Sequence, residues 1–137
     1  IITAIKVASL SGIDVRLMLS EESDARVSQW CTMSYLSELL EAGVKVYLYR
    51  KGFNHSKTLV IDGYFTSVGS VNMDNRSFEH NFEVTAIVYD KDIARKMEDQ
   101  FKKDINSSRH INLQQWEERS TMSKLNEGFA RLFSPLL

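Results

Sequence analysis

Residues 13–49, IDVRLMLSEESDARVSQWCTMSYLSELLEAGVKVYLY, decide the fold class. Ile13, Val15, Leu17 and Leu19 alternate with polar Asp14 and Arg16, the two-residue period of a half-buried strand. Val27, Trp30, Met33, Leu36 and Leu40 then recur every three or four residues. They fall between the candidate N-caps Ser23 or Asp24 and Gly43, a common helix stop, so the spacing predicts one helix. Val44 to Tyr49 reads as the next strand. Strand, helix and strand in this order make a right-handed crossover unit with parallel strands, which places the chain in the α/β class.

Upstream, Ile1, Ile2, Ile5 and Leu10 give a further helical pattern, closed by Gly12 as a C-cap candidate. Downstream, His55 to Ile61 and Tyr64 to Val68 are β-rich segments joined by Asp62-Gly63, a strong hairpin signal. Antiparallel pairing therefore enters, and the expected architecture is a mixed β-sheet flanked by helices. A Gly-Ser-Asn-Asp-Arg loop leads to a strand over Phe82 to Tyr89. Asp90 then caps a helix carrying Ile93, Met97, Phe101 and Ile105, supported by Glu98 with Lys102 and Asp99 with Lys103. In the tail, Met122, Leu125, Phe129, Leu132, Phe133 and Leu136 share one helical face. That face either packs on the domain or a neighbour, or lies in a membrane interface.

The chain has 137 residues, 43% hydrophobic and 26% charged, with no internal repeat or linker, so residues 1–137 read as a single folded domain. Seventeen basic residues nearly cancel eighteen acidic ones. The whole-chain field therefore offers no general attraction for nucleic acid or anionic lipid, and any anion site must be local. The single cysteine, Cys31, excludes a disulfide framework, a Cys-rich zinc site and a C-x-x-C redox motif, and its apolar neighbours make it a core residue. No apolar run approaches the ~20 residues that cross a bilayer, and the N-terminus lacks the regions of a signal peptide, so this chain is expected to be soluble. The start on Ile1, with no capping residue before its helix, suggests a fragment of a longer protein.

The residues that carry chemistry are His55-Ser56-Lys57, Asp62, Gly69-Ser70-Val71-Asn72 and Asn81-Phe82-Glu83. At i and i+2 of a strand, His55 and Lys57 point to the same face, setting a base or nucleophile beside a cation. The hairpin returns Gly69, Ser70 and Asn72 to the level of His55. Gly69 allows close backbone approach, while the Ser70 hydroxyl and the Asn72 amide can bind phosphate oxygens. A histidine whose ordinary pKa is about 6.5 is largely neutral and nucleophilic at pH 7, and the chemistry calls for no metal or cofactor. Glu83 can accept the other ring N–H of His55 and fix its tautomer. Asp62 before Gly63 is fully explained as a turn former.

The joint spacing H-x-K, four residues, D, six residues, G-S-x-N is the signature of the phospholipase D superfamily, and the chain resembles its cardiolipin synthase branch. The string HSKTLVIDGYFTSVGSVNMDNRSFEHNFE is similar to the second motif of a bacterial cardiolipin synthase, and the likeness runs from the opening helix through ELLEAGVKVYLY to RLFSPLL. The resemblance implies catalytic roles for His55, Lys57 and Glu83, with Lys57, Ser70 and Asn72 binding phosphate. Asp62 belongs to the catalytic motif but is chiefly structural in the family. It further implies an active site built from two such motifs, one histidine becoming phosphorylated and its counterpart protonating the leaving group. Only one motif is present: His80 is followed two residues later by Phe82, and His110 by Asn112. Either two copies pair, or a missing N-terminal half supplies the first motif, and the Ile1 start favours the latter. Whether His55 is nucleophile or acid stays open.

The implied reaction converts two phosphatidylglycerol molecules to cardiolipin and glycerol, at a bacterial cell membrane reached through upstream segments, with no nucleic acid involved. Two alternatives stand beside it. One is a homodimeric phosphodiesterase or nuclease of the same superfamily, which would be expected to show a basic groove. The other is a non-catalytic lobe that binds lipid headgroups or a partner.

Overall fold

The computed structural model describes residues 1–23 and 25–132. Asp24, Phe133 and Leu136, named above as a cap and as stripe residues, lie outside them, as does most of the closing RLFSPLL. Helix α1 (Ile2–Leu10) ends at Ser11, and Gly12 takes a positive φ of +92°, the left-handed turn expected of it. Strand β1 (Arg16–Ser20) follows, and then α2 (Arg26–Ser34) and α3 (Leu36–Glu41). The expected single helix thus divides at Tyr35. Side-chain hydroxyls crowd the junction: Thr32 Oγ1 donates to the Ser28 carbonyl at 3.0 Å and Ser34 Oγ to the Cys31 carbonyl at 2.6 Å. Such local hydroxyl bonds compete with the helical ladder and bend it.

Strand β2 (Lys45–Tyr49) pairs in parallel with β1, Arg16 opposite Lys45 and Ser20 opposite Tyr49, as the crossover unit requires. Val46 and Leu48 point into the core with Met33, Leu36, Leu39, Val44 and Ile111, and Ile2, Ile5, Leu17 and Trp116 close over them. Cys31 is buried, as expected.

The hairpin forms as read. Strands β3 (Lys57–Ile61) and β4 (Phe65–Gly69) run antiparallel, and Asp62 and Gly63 adopt φ of +50° and +61° at the tip, the signs of a type I′ turn. After the short helix α4 (Asn75–Glu79), β5 (Thr85–Tyr89) pairs with β4. The hairpin does not extend the first sheet, because the other edge of β2 is occupied by β6 (Ser108–Ile111), antiparallel to it. The architecture is therefore mixed α/β with two three-stranded sheets, β1-β2-β6 and β3-β4-β5.

Helix α5 (Lys91–Ile105), capped by Asp90 as expected, packs against strands of both sheets and ties them together. Lys102 lies near both Glu98, at 3.7 Å, and Asp99, at 3.6 Å. Helices α6 (Leu113–Glu117) and α7 (Thr121–Arg131) end the described chain, α7 lying along α2. It meets the domain through Glu127 and Ala130, which are buried, while Met122, Leu125, Phe129 and Leu132 stay exposed. Packing on the domain thus occurs, through these two buried positions. No helix among the described residues is long and apolar enough to cross a membrane.

Leu48 is only 2% exposed at the centre of the first sheet. Leu48→Ala is expected to cost about 2–5 kcal/mol, seen as a lower urea midpoint with an unchanged slope.

Candidate active site

The site lies where the segment leaving the first sheet enters the second. Asn54 anchors that segment: its N–H donates to Ser20 Oγ at 2.7 Å, and Ser20 Oγ donates back to the Asn54 carbonyl at 3.1 Å. Its side-chain oxygen also accepts from the Ser56 N–H at 3.1 Å and the Ser56 hydroxyl at 2.6 Å. This Asx turn diverts Ser56 from the ladder, so β3 begins at Lys57 and His55 sits in the turn before it. The sequence reading had placed both on one strand. Their link is instead through the backbone, Lys57 Nζ donating to the His55 carbonyl at 2.8 Å. The His55 ring is exposed and stacks on Phe53, with centroids 5.3 Å apart.

The return strand arrives at the expected level. Lys57 pairs with Gly69, so Ser70 leaves β4 at the level where β3 begins. Gly69 is required by its neighbour in the sheet: a Cβ there would stand 2.7 Å from Thr85 Cα, so the close approach it permits is that of β5. Beyond it, the Ser70 N–H donates to the Val84 carbonyl at 2.9 Å, and Ser70 Oγ accepts from the Val84 N–H at 3.1 Å. The Ser70 hydroxyl itself donates to Glu83.

Glu83 collects three donors: Ser70, the Ser77 hydroxyl at 3.0 Å and the Asn81 side-chain amide at 3.2 Å. Among the described residues, its carboxylate therefore holds these groups and not the His55 ring, contrary to the tautomer-fixing role expected of it. The Ser70 hydrogen bond is the main influence holding its pKa below the ordinary carboxylate value, with Asn81, Ser77 and the charge of Lys57 adding to it. The carboxylate stays charged down to the ordinary range and is neutralised only below it. Burial lowers the pKa of Lys57, and the negative charges of Glu83 and Asp74 partly oppose this.

Ser77 was not singled out from the sequence, nor were Asn81, Asn54, Ser20 and Phe53 given roles. Ser77 is buried on α4, whose N-cap Asp74 accepts from the Ser77 N–H at 2.7 Å. The D-x-x-S spacing of a capped helix start in VNMDNRSF was the signal for both. Asp62 is not brought to the site. It stands at the far end of the hairpin, about 17 Å along β3 from Lys57, and acts there as the turn former. Among the described residues, no three His, Cys, Asp or Glu side chains gather as metal ligands would.

At this edge the half-buried Lys57 cation reaches the backbone of the His55 turn, and its charge acts on the Glu83 carboxylate that Ser70 anchors, so the fold sets the kinds of group used in covalent catalysis on a phosphodiester in neighbouring segments. The chain belongs to the family described as the cardiolipin synthase, phospholipase D-like domain, whose model matches residues 1–105. It is 46% identical to a cardiolipin synthase of Clostridium perfringens over 134 residues, 98% of this chain and 28% of that protein. Identity is 46% to cardiolipin synthase 2 of Bacillus anthracis and 47% to a cardiolipin synthase of Geobacillus kaustophilus, each over the whole chain and 27% of the relative. The chain thus spans little more than a quarter of these relatives. The fold is that of a phospholipase D family member, Nuc from Salmonella typhimurium, with a TM-score of 0.68 at 18% identity, covering 81% of this chain and 72% of that one.

Two outcomes test this geometry. Gly69→Ala is expected to destabilise the chain by roughly 1–3 kcal/mol and to loosen hydrogen-exchange protection along β4 and β5, since backbone must give way to the new Cβ. Ser77→Ala is expected to raise the Glu83 pKa, read from the pH titration of its carboxyl carbon by NMR; an unchanged titration would contradict the role given to Ser77.

Proposed function

We propose that this chain supplies one half of a phosphatidyltransferase active site that makes cardiolipin from two phosphatidylglycerol molecules. The observation that carries the reading is that Lys57 reaches the His55 turn while its charge acts on the Glu83 carboxylate bound by Ser70, in a chain belonging to a cardiolipin synthase family. Of two facing histidines, His55 and a counterpart, one attacks the phosphorus of the first phosphatidylglycerol. A P–N bond forms, the P–O bond to glycerol breaks, and the other histidine protonates the departing alkoxide. The terminal hydroxyl of the second phosphatidylglycerol then loses its proton to that histidine and takes the phosphatidyl group, releasing the first. One phosphodiester replaces another, so no nucleotide is consumed. Lys57 stabilises charge on the phosphoryl oxygens, helped by the Asn72 amide, while Ser70, whose proton goes to Glu83, holds that carboxylate in place.

The counterpart belongs to a first-motif half rather than to a second copy of this chain. The single H-x-K motif and the fraction of the relatives spanned both support that completion. So does the sheet face that carries Lys57: Leu59 and Ile61, with Ile87 and Tyr89 across the register, share it and are exposed. Such a face suits an apolar partner surface. The assembled enzyme works at a bacterial cell membrane, held there by segments outside this chain.

The test joins the chain to a first-motif half and assays cardiolipin from phosphatidylglycerol in mixed micelles, with peptide mass spectrometry for a phosphatidyl adduct on a histidine. The chain alone is expected to be nearly inactive. His55→Ala in the assembly is expected to lower kcat by several orders of magnitude, toward the ~10⁶ seen when a nucleophile is lost from a cooperating set. A variant within tenfold of wild type would sink the assignment, and robust turnover by the chain alone would overturn the half-site.

A further inference from the structure

Arg76 stands on α4, in the braced loop between β4 and β5, and the transfer steps give it no task. Before it, Asp74 caps the helix by accepting from the Ser77 N–H at 2.7 Å. After it, the Ser77 hydroxyl donates to Glu83 at 3.0 Å, and the Arg76 carbonyl accepts from the N–H groups of His80 at 3.0 Å and Asn81 at 2.8 Å. The backbone at Arg76 is thus held on both sides. Its side chain is not: the residue is exposed, and among the described residues its guanidinium makes no hydrogen bond, ion pair or ring contact. The whole N–H fork is left for a ligand.

The fork also lies near the phosphate site. The negative charges of Glu83 and of Asp74, two residues before Arg76, act on Lys57, so α4 begins within electrostatic reach of the cation assigned to the reacting phosphate. Asn72 precedes Arg76 by four residues. The other arginine on the segments that carry the site, Arg50, is committed, its Nε donating to Glu21 at 2.6 Å. Lys51 is an exposed cation on the bend before Phe53, but Glu21 and Glu22 line the small cleft beside it, and carboxylates repel a phosphate.

The reaction has two anions to hold. The donor phosphate is met by Lys57 and Asn72. The acceptor is a second phosphodiester, joined to its attacking hydroxyl through one glycerol, so when the new bond forms the two phosphorus atoms stand about 7 Å apart across an extended glycerol bridge. Phosphates that close repel each other, and a second cation near the first offsets the repulsion.

We propose that Arg76 binds the phosphate of the acceptor phospholipid, so that the site selects a glycerophospholipid hydroxyl over a neutral alcohol. The proposal rests on the phosphatidyl-transfer reading and deepens it, giving acceptor recognition to a residue of this chain. The guanidinium takes two oxygens of the acceptor phosphate, which directs the glycerol and its terminal hydroxyl toward the phosphatidyl group on histidine.

The experiment sets two acceptors in competition in the assembly of this chain with a first-motif half. Phosphatidylglycerol supplies the phosphatidyl group in the presence of radiolabelled glycerol. Attack by a second phosphatidylglycerol gives cardiolipin, whereas attack by glycerol gives labelled phosphatidylglycerol. Both start from the same covalent intermediate, so their ratio reads acceptor choice. Arg76→Ala is expected to lower the ratio of cardiolipin to labelled phosphatidylglycerol at least about tenfold, with an unaltered melting temperature because the side chain has no partner. Arg76→Lys, which keeps the charge without the fork, is expected to restore part of the ratio, and Lys51→Ala to leave it unchanged. In the 137-residue chain alone, the Arg76 Nε–Hε resonance is expected to shift with glycerophosphoglycerol, the water-soluble headgroup, and not with glycerol. The proposal is overturned by an Arg76→Ala ratio like that of wild type or by an equal loss in Lys51→Ala. It is equally overturned by a resonance that glycerophosphoglycerol leaves in place, or that inorganic phosphate moves as far, which would make Arg76 a general anion contact. The resonance needs no turnover, so an assembly that makes no cardiolipin counts against the transfer reading while the resonance still decides the headgroup contact. A wild-type ratio in an active Arg76→Ala assembly counts against Arg76 alone.

Discussion

The Glu83 carboxylate is the point at which three separate pieces of chain meet. It holds the Ser70 hydroxyl at the end of β4, the buried Ser77 hydroxyl on α4 and the Asn81 amide in the turn before β5. Without that junction, the residues between Gly69 and Thr85 would be a long surface loop with no internal reason to hold one shape. With it, the loop becomes a capped helix braced against the sheet, and the hydroxyl nearest Lys57 is fixed. The arrangement is economical because three donors satisfy the oxygens of the half-buried carboxylate and outweigh its partial desolvation.

That economy depends on Gly69. The entry to β5 crosses β4 so closely that Thr85 occupies the space any side chain would need. The glycine of the G-S-x-N motif therefore serves the sheet before it serves a ligand, and Ser70 is aimed by the two hydrogen bonds it shares with Val84. Spacing that reads as a chemical signature is thus also a folding requirement.

The parts legible in the sequence were those set locally. Asp62-Gly63 announced its turn because few residues tolerate paired positive φ angles, and β1, β2 and α5 followed from periodicity and capping. The second sheet was not legible, since it arises from competition for the edge of β2. Its winner, β6, is a four-residue strand with one buried side chain, Ile111, too short for any alternation to be read. Spacing and charge pointed to Lys57, Ser70 and Glu83, which the fold sets in neighbouring positions. Ser20, Asn54 and Ser77 were missed because each acts by holding another group in place, a role that leaves no charge or period in the sequence.

The Ser20–Asn54 tether has a consequence for how competence arises during folding. His55 hangs from the first sheet, whereas Lys57, Ser70 and Glu83 belong to the second, and α5 spans both. Neither sheet alone sets the His55 turn against Lys57, however well it forms. The candidate edge comes into being only when the two sheets have docked, so a chain emerging from the ribosome does not present this set of residues until its tertiary structure is complete. The edge is in this sense a property of the seam between two modules, and it reports on their registration.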